Sequence, residues 1–147
     1  MRYTIILILL LMSAFTWINE AKSGEIDEGA EALGHQLRAK GYNGVEVAGK
    51  KAEYINQYAS VAAERVKHVH IGTAYQELLN IWSGFTANTS LSTTAEGTVM
   101  TLDYDIPTAD GNAYYGFKER HTHIVYTVAN GVVVKANLLN GEESDIR

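Results

Sequence analysis

Apolar residues recur at a helical period soon after an apolar N-terminal run. Ile26, Ala30, Leu33 and Leu37 are three or four positions apart, which is the spacing of one helix face. Acidic residues are concentrated at the start of this stretch, where the helix dipole favours negative charge. The pattern predicts a first helix that ends at Lys40.

A second helical pattern follows a turn-forming sequence that contains two glycines. Tyr54, Tyr58 and Ala62 lie on one face of this predicted second helix. Over residues 65–71 the period then changes to two, which predicts a short strand. The alternative for that stretch is a continuation of the second helix.

A third helix is predicted from a start signal and an apolar stripe. Thr73 and Gln76 have the spacing of a capping box, in which side chains bond the free N–H groups at a helix start. The stripe consists of Leu78, Leu79, Trp82 and Phe85. A helix over this segment would bury that stripe against a sheet.

The second half of the chain has the period of β-strands. Small polar and β-branched residues predict a strand over residues 87–94. Residues 100–106 alternate between apolar and polar side chains, residues 107–112 favour a turn, and residues 114–128 predict a further strand. Asn130-Gly131 is typical of a two-residue hairpin turn. The order of elements predicts an α+β fold, with N-terminal helices packed on an antiparallel sheet.

The N-terminal residues have the pattern of a secretory leader. Arg2 precedes an apolar run over residues 5–11, and small residues provide a cleavage site before residue 24. We expect a signal peptide over residues 1–23, a single domain over residues 24–147, and a secreted or periplasmic protein. The alternative is an uncleaved anchor. The run is shorter than the about 20 residues that span a bilayer, so no stable membrane insertion is expected after leader removal.

The composition limits the classes of partner. Of the 147 residues, 46% are hydrophobic and one is proline, which is typical of a globular chain. The net charge of −5 argues against nucleic acid as a partner, because backbone phosphates require clustered Lys and Arg. The chain has no cysteine, so disulfides and thiolate metal sites are excluded.

Three stretches together resemble the SnoaL-like branch of the nuclear transport factor two-like superfamily. Residues 65–72, leading into residues 73–85, resemble the short strand, glycine and helix of that family. Glu96-Gly97-Thr98-Val99 is similar to its mid-sheet turn, and residues 123–139 resemble its closing hairpin. The alternative is another helix-plus-meander fold, such as a cystatin-like one.

The resemblance implies a curved antiparallel sheet, a cone-shaped α+β barrel or roll, around an apolar pocket. Members of the family include isomerases, cyclases and dehydratases, and many have no demonstrated activity. Asn130 stands where the family commonly has an acidic residue. This departure argues against catalysis. From the pocket that the resemblance implies, we expect a small hydrophobic or aromatic ligand, with His/Asp acid–base catalysis as a possible activity, and no cofactor. The alternative is a non-enzymatic exported interaction protein of similar fold.

Six aromatic residues are candidates for the pocket wall, although a helix on a sheet must bury such residues in any case. The candidate ligand-binding residues are Tyr54, Tyr58, Trp82, Phe85, Tyr104 and Tyr126. Exposed aromatic residues could also form a homodimer through the sheet face.

The histidines give the sharpest chemical signal. His68 and His70 form one pair and His121 and His123 another, and a strand would direct both rings of a pair to the same face. Histidine titrates near neutral pH, so a ring beside a carboxylate can transfer protons. The candidate catalytic residues are His70, His121, His123 and Asp103, with Asp105 as a further histidine partner.

Two other interpretations of these histidines stay open. Strand histidines can simply face solvent. A His-x-His pair with a further ligand can also bind zinc or copper. Since no further ligand stands at a diagnostic spacing, the sequence predicts no metal site.

Overall fold

The computed structural model describes residues 23–147, and side chains from residue 26 onward. The predicted leader lies outside these residues, apart from its last position. The elements are α1 (Ser23–Ala39), α2 (Gly44–Val66), α3 (Tyr75–Ile81), β1 (Asn88–Thr94), β2 (Gly97–Asn112), β3 (Gly116–Ala129) and β4 (Val132–Ile146). Among the described helices, none combines the length and apolarity needed to cross a membrane.

The four strands form one antiparallel sheet in chain order. This confirms the predicted α+β class with a meander. The described sheet is open and does not close into a barrel, because β1 and β4 lie at its two edges and do not pair with each other. Asn130 and Gly131 form the turn between β3 and β4 with positive φ angles of 52° and 81°, as a hairpin turn of this kind requires.

The predicted strand over residues 65–71 is wrong. Helix α2 continues to Val66, and turns follow it. Val66 and Val69 both pack on the core, which a strand would not allow, because strand positions three apart face opposite sides. The hydroxyl of Thr73 accepts the His70 N–H at 2.9 Å. Ala74 caps α3 without a side-chain hydrogen bond, so the predicted capping box is absent there.

The turn predicted over residues 107–112 is also wrong, because β2 runs through to Asn112. The pairing of β1 with β2 ends at Asp103. Beyond it, Asn56 of α2 bonds the edge of β2, donating to the Ala109 carbonyl and accepting the Ala109 N–H, both at 2.8 Å. Alternate residues of a strand direct their backbone groups to the same edge. Pro107, two residues before Ala109, therefore faces the edge that β1 does not cover, where a backbone N–H is not needed for strand pairing.

The core has two clusters. In the first, the Trp82 ring of the segment after α3 stacks on Tyr104 of β2, with ring centroids 4.3 Å apart. In the second, Ile26 of α1 and Ile55 of α2 pack with Ile146 and Phe117. The second cluster therefore packs the start of α1 against the beginning of β3 and the end of β4, which are neighbours in the sheet.

Candidate functional site

The alternation of β2 and β3 separates apolar from ionisable side chains. Leu102, Tyr104 and Ile106 are buried in the core, so the intervening Asp103 and Asp105 lie on the opposite face of the sheet. In the register of the two strands, Asp105 is paired with His123. The register therefore places the histidine and carboxylate side chains on one face.

His123 and Asp103 form a hydrogen-bonded dyad. The Nδ1 atom of His123 lies 3.0 Å from Oδ1 and 3.2 Å from Oδ2 of Asp103. When Nδ1–H donates to the carboxylate, the other ring nitrogen becomes the proton acceptor. That Nε2 atom lies beside Gly141 of β4, where an added Cβ would approach it to 3.0 Å. Because residue 141 is a glycine, it places no side chain against Nε2.

His121 lies between two carboxyl groups. Its Nδ1 is 2.8 Å from Oδ1 of Asp105, and its Nε2 is 3.3 Å from Oε2 of Glu119. Burial lowers the pKa of His121, but the hydrogen bond to Asp105 and the surrounding negative charges outweigh it, so the pKa is raised. The contacts favour the protonated imidazolium.

Glu119 also faces Asp27 of α1. Burial and a hydrogen bond to Asp27 raise the pKa of Glu119 from 4.5 to about 7. Two carboxyl groups in contact cannot both ionise at low cost, so one keeps a proton near neutral pH. We call Asp27, Asp103, Asp105, Glu119, His121 and His123 the acid–histidine cluster.

The structure brings together three of the four predicted catalytic residues. His121, His123 and Asp103 belong to the acid–histidine cluster. His70 does not, because it is exposed in the turn after α2, and its backbone N–H bonds Thr73. Its separation follows from the absence of the predicted strand.

Sequence reasoning missed two members of the cluster. Glu119 follows the parity of His121 and His123 on β3, so the strand period could have identified it. Asp27 could not be found this way, because only the packing of α1 on the far ends of the strands brings it to Glu119.

The six predicted ligand-binding aromatics lie mostly in the core. Trp82, Tyr104 and Tyr126 are fully buried side chains, and Phe85 also packs on Trp82. Tyr54 and Tyr58 are partly buried, with ring centroids 5.4 Å apart. A separate groove of about 830 Å³ lies between α2 and the hairpin of β2 and β3. Its lining includes Phe117 but none of the six. Their ligand-binding role stays a prediction.

The predicted sheet-face dimer also stays a prediction. Leu138 and Leu139 of β4 are 66% and 53% exposed, and Tyr114 and Tyr115 are exposed at the hairpin of β2 and β3. These apolar residues are scattered over opposite faces and ends of the sheet.

No known family model, curated protein or solved structure matches this chain.

Proposed function

We propose that this chain is an exported SnoaL-like domain that binds a small hydrophobic or aromatic carbonyl compound and transfers a proton to and from it. His123 is the catalytic acid–base residue of this proposal. The proposal is supported by the order of helices and antiparallel strands, and most directly by the dyad of His123 and Asp103. The reaction class is isomerisation or a related enolisation.

The observation that carries the proposal is the difference between the two nitrogens of His123. Nδ1 is bonded to Asp103, whereas Nε2 lies beside the side-chain-free position of Gly141. A carboxylate on Nδ1 holds the ring in one orientation and stabilises the imidazolium that forms when Nε2 takes a proton. Asp103 is a positioning residue in this arrangement.

An apolar surface for the ligand lies directly beside the dyad. Leu139 of β4 is paired with His123 in the register, so both side chains are on one face. Leu139 is 53% exposed and Val125, on the same face, is partly buried. A small apolar ring lying on these side chains would bring a carbon next to a carbonyl within reach of Nε2.

The proton balance of the step is simple. The lone pair of His123 Nε2 takes a proton from the carbon next to the carbonyl, and the C–H electron pair becomes the enolate. The imidazolium then returns a proton to the same or another carbon. Asp105, whose Oδ1 lies 3.9 Å from His123 Nε2, adds negative charge that stabilises the imidazolium formed when Nε2 takes the proton.

Exchange of hydrogen for deuterium tests this proposal without knowledge of the natural substrate. A panel of cyclic and aromatic ketones is incubated with the protein in D₂O, and loss of the α-proton signal is followed by NMR. We expect at least one ketone to exchange faster than in buffer. His123→Gln should remove an acceleration of about 10²-fold or more, and Asp103→Asn should reduce it.

His70→Gln is the matched control, because His70 is exposed and outside the acid–histidine cluster. It should leave the exchange rate unchanged. Equal rates for the wild type and His123→Gln across the whole panel would refute a proton-transfer role for His123.

A further inference from the structure

A second site lies at the other end of the acid–histidine cluster. Asp27 of α1 and Glu119 and His121 of β3 each offer one ligand atom, and these atoms all lie within 4.8 Å of one another. The three side chains are partly buried. They come from two elements that only the packing of α1 on the sheet brings together.

Two oxygen atoms in this site lack the hydrogen-bond donors that burial normally requires. Oδ1 of Asp27 and Oε2 of Glu119 are buried from solvent, and neither accepts a well-aligned hydrogen bond from a donor among the described residues, although Nε2 of His121 lies 3.3 Å from Oε2. A buried carboxylate oxygen without compensation is costly. A proton shared by the two carboxyl groups or a cation bound between them would supply that compensation.

The histidine favours the cation. Asp105 bonds Nδ1 of His121 at 2.8 Å, which turns Nε2 towards Glu119. A metal-ligating histidine usually binds the ion through one imidazole nitrogen and a carboxylate, backbone carbonyl or water through the other. The carboxylate sets the ring orientation and makes Nε2 a better ligand once the metal displaces the proton from it.

The distances also suit a small ion. Ligands at about 2.0–2.1 Å from zinc, in tetrahedral geometry, lie about 3.3 Å from each other. His121 Nε2 and Glu119 Oε2 are 3.3 Å apart. The remaining ligand atom, from Asp27, lies within 4.8 Å of the other two, so the Asp27 side chain would move towards the ion to complete the set.

We propose that Asp27, Glu119 and His121 bind one divalent transition-metal ion of the zinc type. One imidazole nitrogen and two carboxylate oxygens suit zinc, whereas calcium and magnesium prefer oxygen ligands alone. Three protein ligands leave a fourth coordination position for water, as in catalytic zinc sites. This site is separate from the dyad of His123 and Asp103, and neither proposal requires the other.

Calorimetric titration of the untagged, chelator-treated protein with zinc chloride tests the site. We expect one zinc ion per chain. Glu119→Gln and Asp27→Asn should each weaken binding at least tenfold, because each removes a ligand. Asp105→Asn should weaken it by about 10–100-fold, which is typical of residues that orient a ligating histidine.

Two controls separate this site from other histidines. Asp103→Asn and His70→Gln should leave zinc affinity within a factor of two, because neither residue contributes a ligand. Circular dichroism of each variant checks that the fold is retained, and Asp27→Asn provides a second ligand test if Glu119→Gln fails to fold.

A structural readout complements the affinities. Imidazole ¹⁵N spectra should show that zinc shifts Nε2 of His121 and leaves both nitrogens of His70 unchanged. Absence of zinc binding at millimolar concentration, or binding that Glu119→Gln and Asp27→Asn leave unchanged, would overturn the proposal. Either result would leave the shared proton as the partner of the two carboxyl groups.

Discussion

At the scale of single residues, the site depends on charges that packing forces together. Glu119 stands beside Asp27, and the pKa of Glu119 is raised to about 7. A group whose pKa is higher in the folded than in the unfolded state stabilises the fold while it holds its proton. The raised pKa of His121 acts in the same direction. Both contributions are present at low pH and are lost as pH rises through the folded pKa values.

This predicts that the metal-free protein loses stability between about pH 5 and pH 8. Glu119→Gln removes the ionisation, so its pH dependence should be weaker. At about pH 8 the variant should be more stable than the wild type by about 2 kcal/mol, allowing for partial solvent screening of the raised pKa. Urea unfolding in the presence of a chelator, at several pH values, measures the difference.

The matched control for this change is Glu53→Gln. Glu53 is an exposed carboxylate of α2 with only a surface ion pair to Lys50. Its variant should follow the wild-type pH dependence. If Glu119→Gln also follows it, the carboxyl pair does not govern the stability of the fold near neutral pH.

At the scale of elements, side chains decide where strands and helices end. Asn43 caps α2 through a capping box with Glu46, a signal that the sequence carries openly. The long β2 strand instead depends on Asn56, which bonds both backbone groups of Ala109 where β1 no longer covers the edge. A helix side chain thus extends a strand that the local turn signals predicted to stop.

Asn56→Ala tests this extension. It removes two hydrogen bonds to the edge of β2, and because water can partly replace them, we expect a loss of about 1–2 kcal/mol. The Ala109 amide should also exchange faster with deuterium. Gln57→Ala changes the neighbouring exposed position on the same helix and should have little effect. Unchanged protection of the Ala109 amide in Asn56→Ala would show that Asn56 does not hold this edge.

At the scale of the whole molecule, an aromatic core joins the helices to the sheet. Trp82 follows α3 and stacks on Tyr104, and its Nε1–H donates to the Tyr126 hydroxyl at 3.2 Å. The bond is buried, and burial raises the pKa of Tyr126. Because both rings are fully buried, their polar atoms must satisfy each other.

Tyr126→Phe should therefore be destabilising even though it preserves the ring. The change leaves the indole N–H of Trp82 without this acceptor in the core, at an expected cost of about 1–3 kcal/mol. Thermal and urea unfolding measure the loss. Tyr114→Phe is the control, because Tyr114 is 85% exposed and should tolerate the change. Equal stability of the two variants would contradict a structural role for the bond of Trp82 to Tyr126.

The sequence by itself determined the α+β class, the three helices and the meander, because apolar period and turn residues are local properties. It also placed His121 and His123 on one face of a strand, since strand alternation fixes parity, whereas their meeting with Asp103 depended on the register of β2 and β3. The strand predicted over residues 65–71 and the turn predicted over residues 107–112 were wrong, because tertiary contacts outweighed the local signals.

Only the tertiary structure decided that Asp27 of α1 meets Glu119 and His121. It also decided that His70 stands apart from the acid–histidine cluster and that the sheet stays open. The physical reason is that these relations depend on how a helix packs on a twisted sheet. That packing is set by the buried surface of the whole chain rather than by the spacing of residues within one segment.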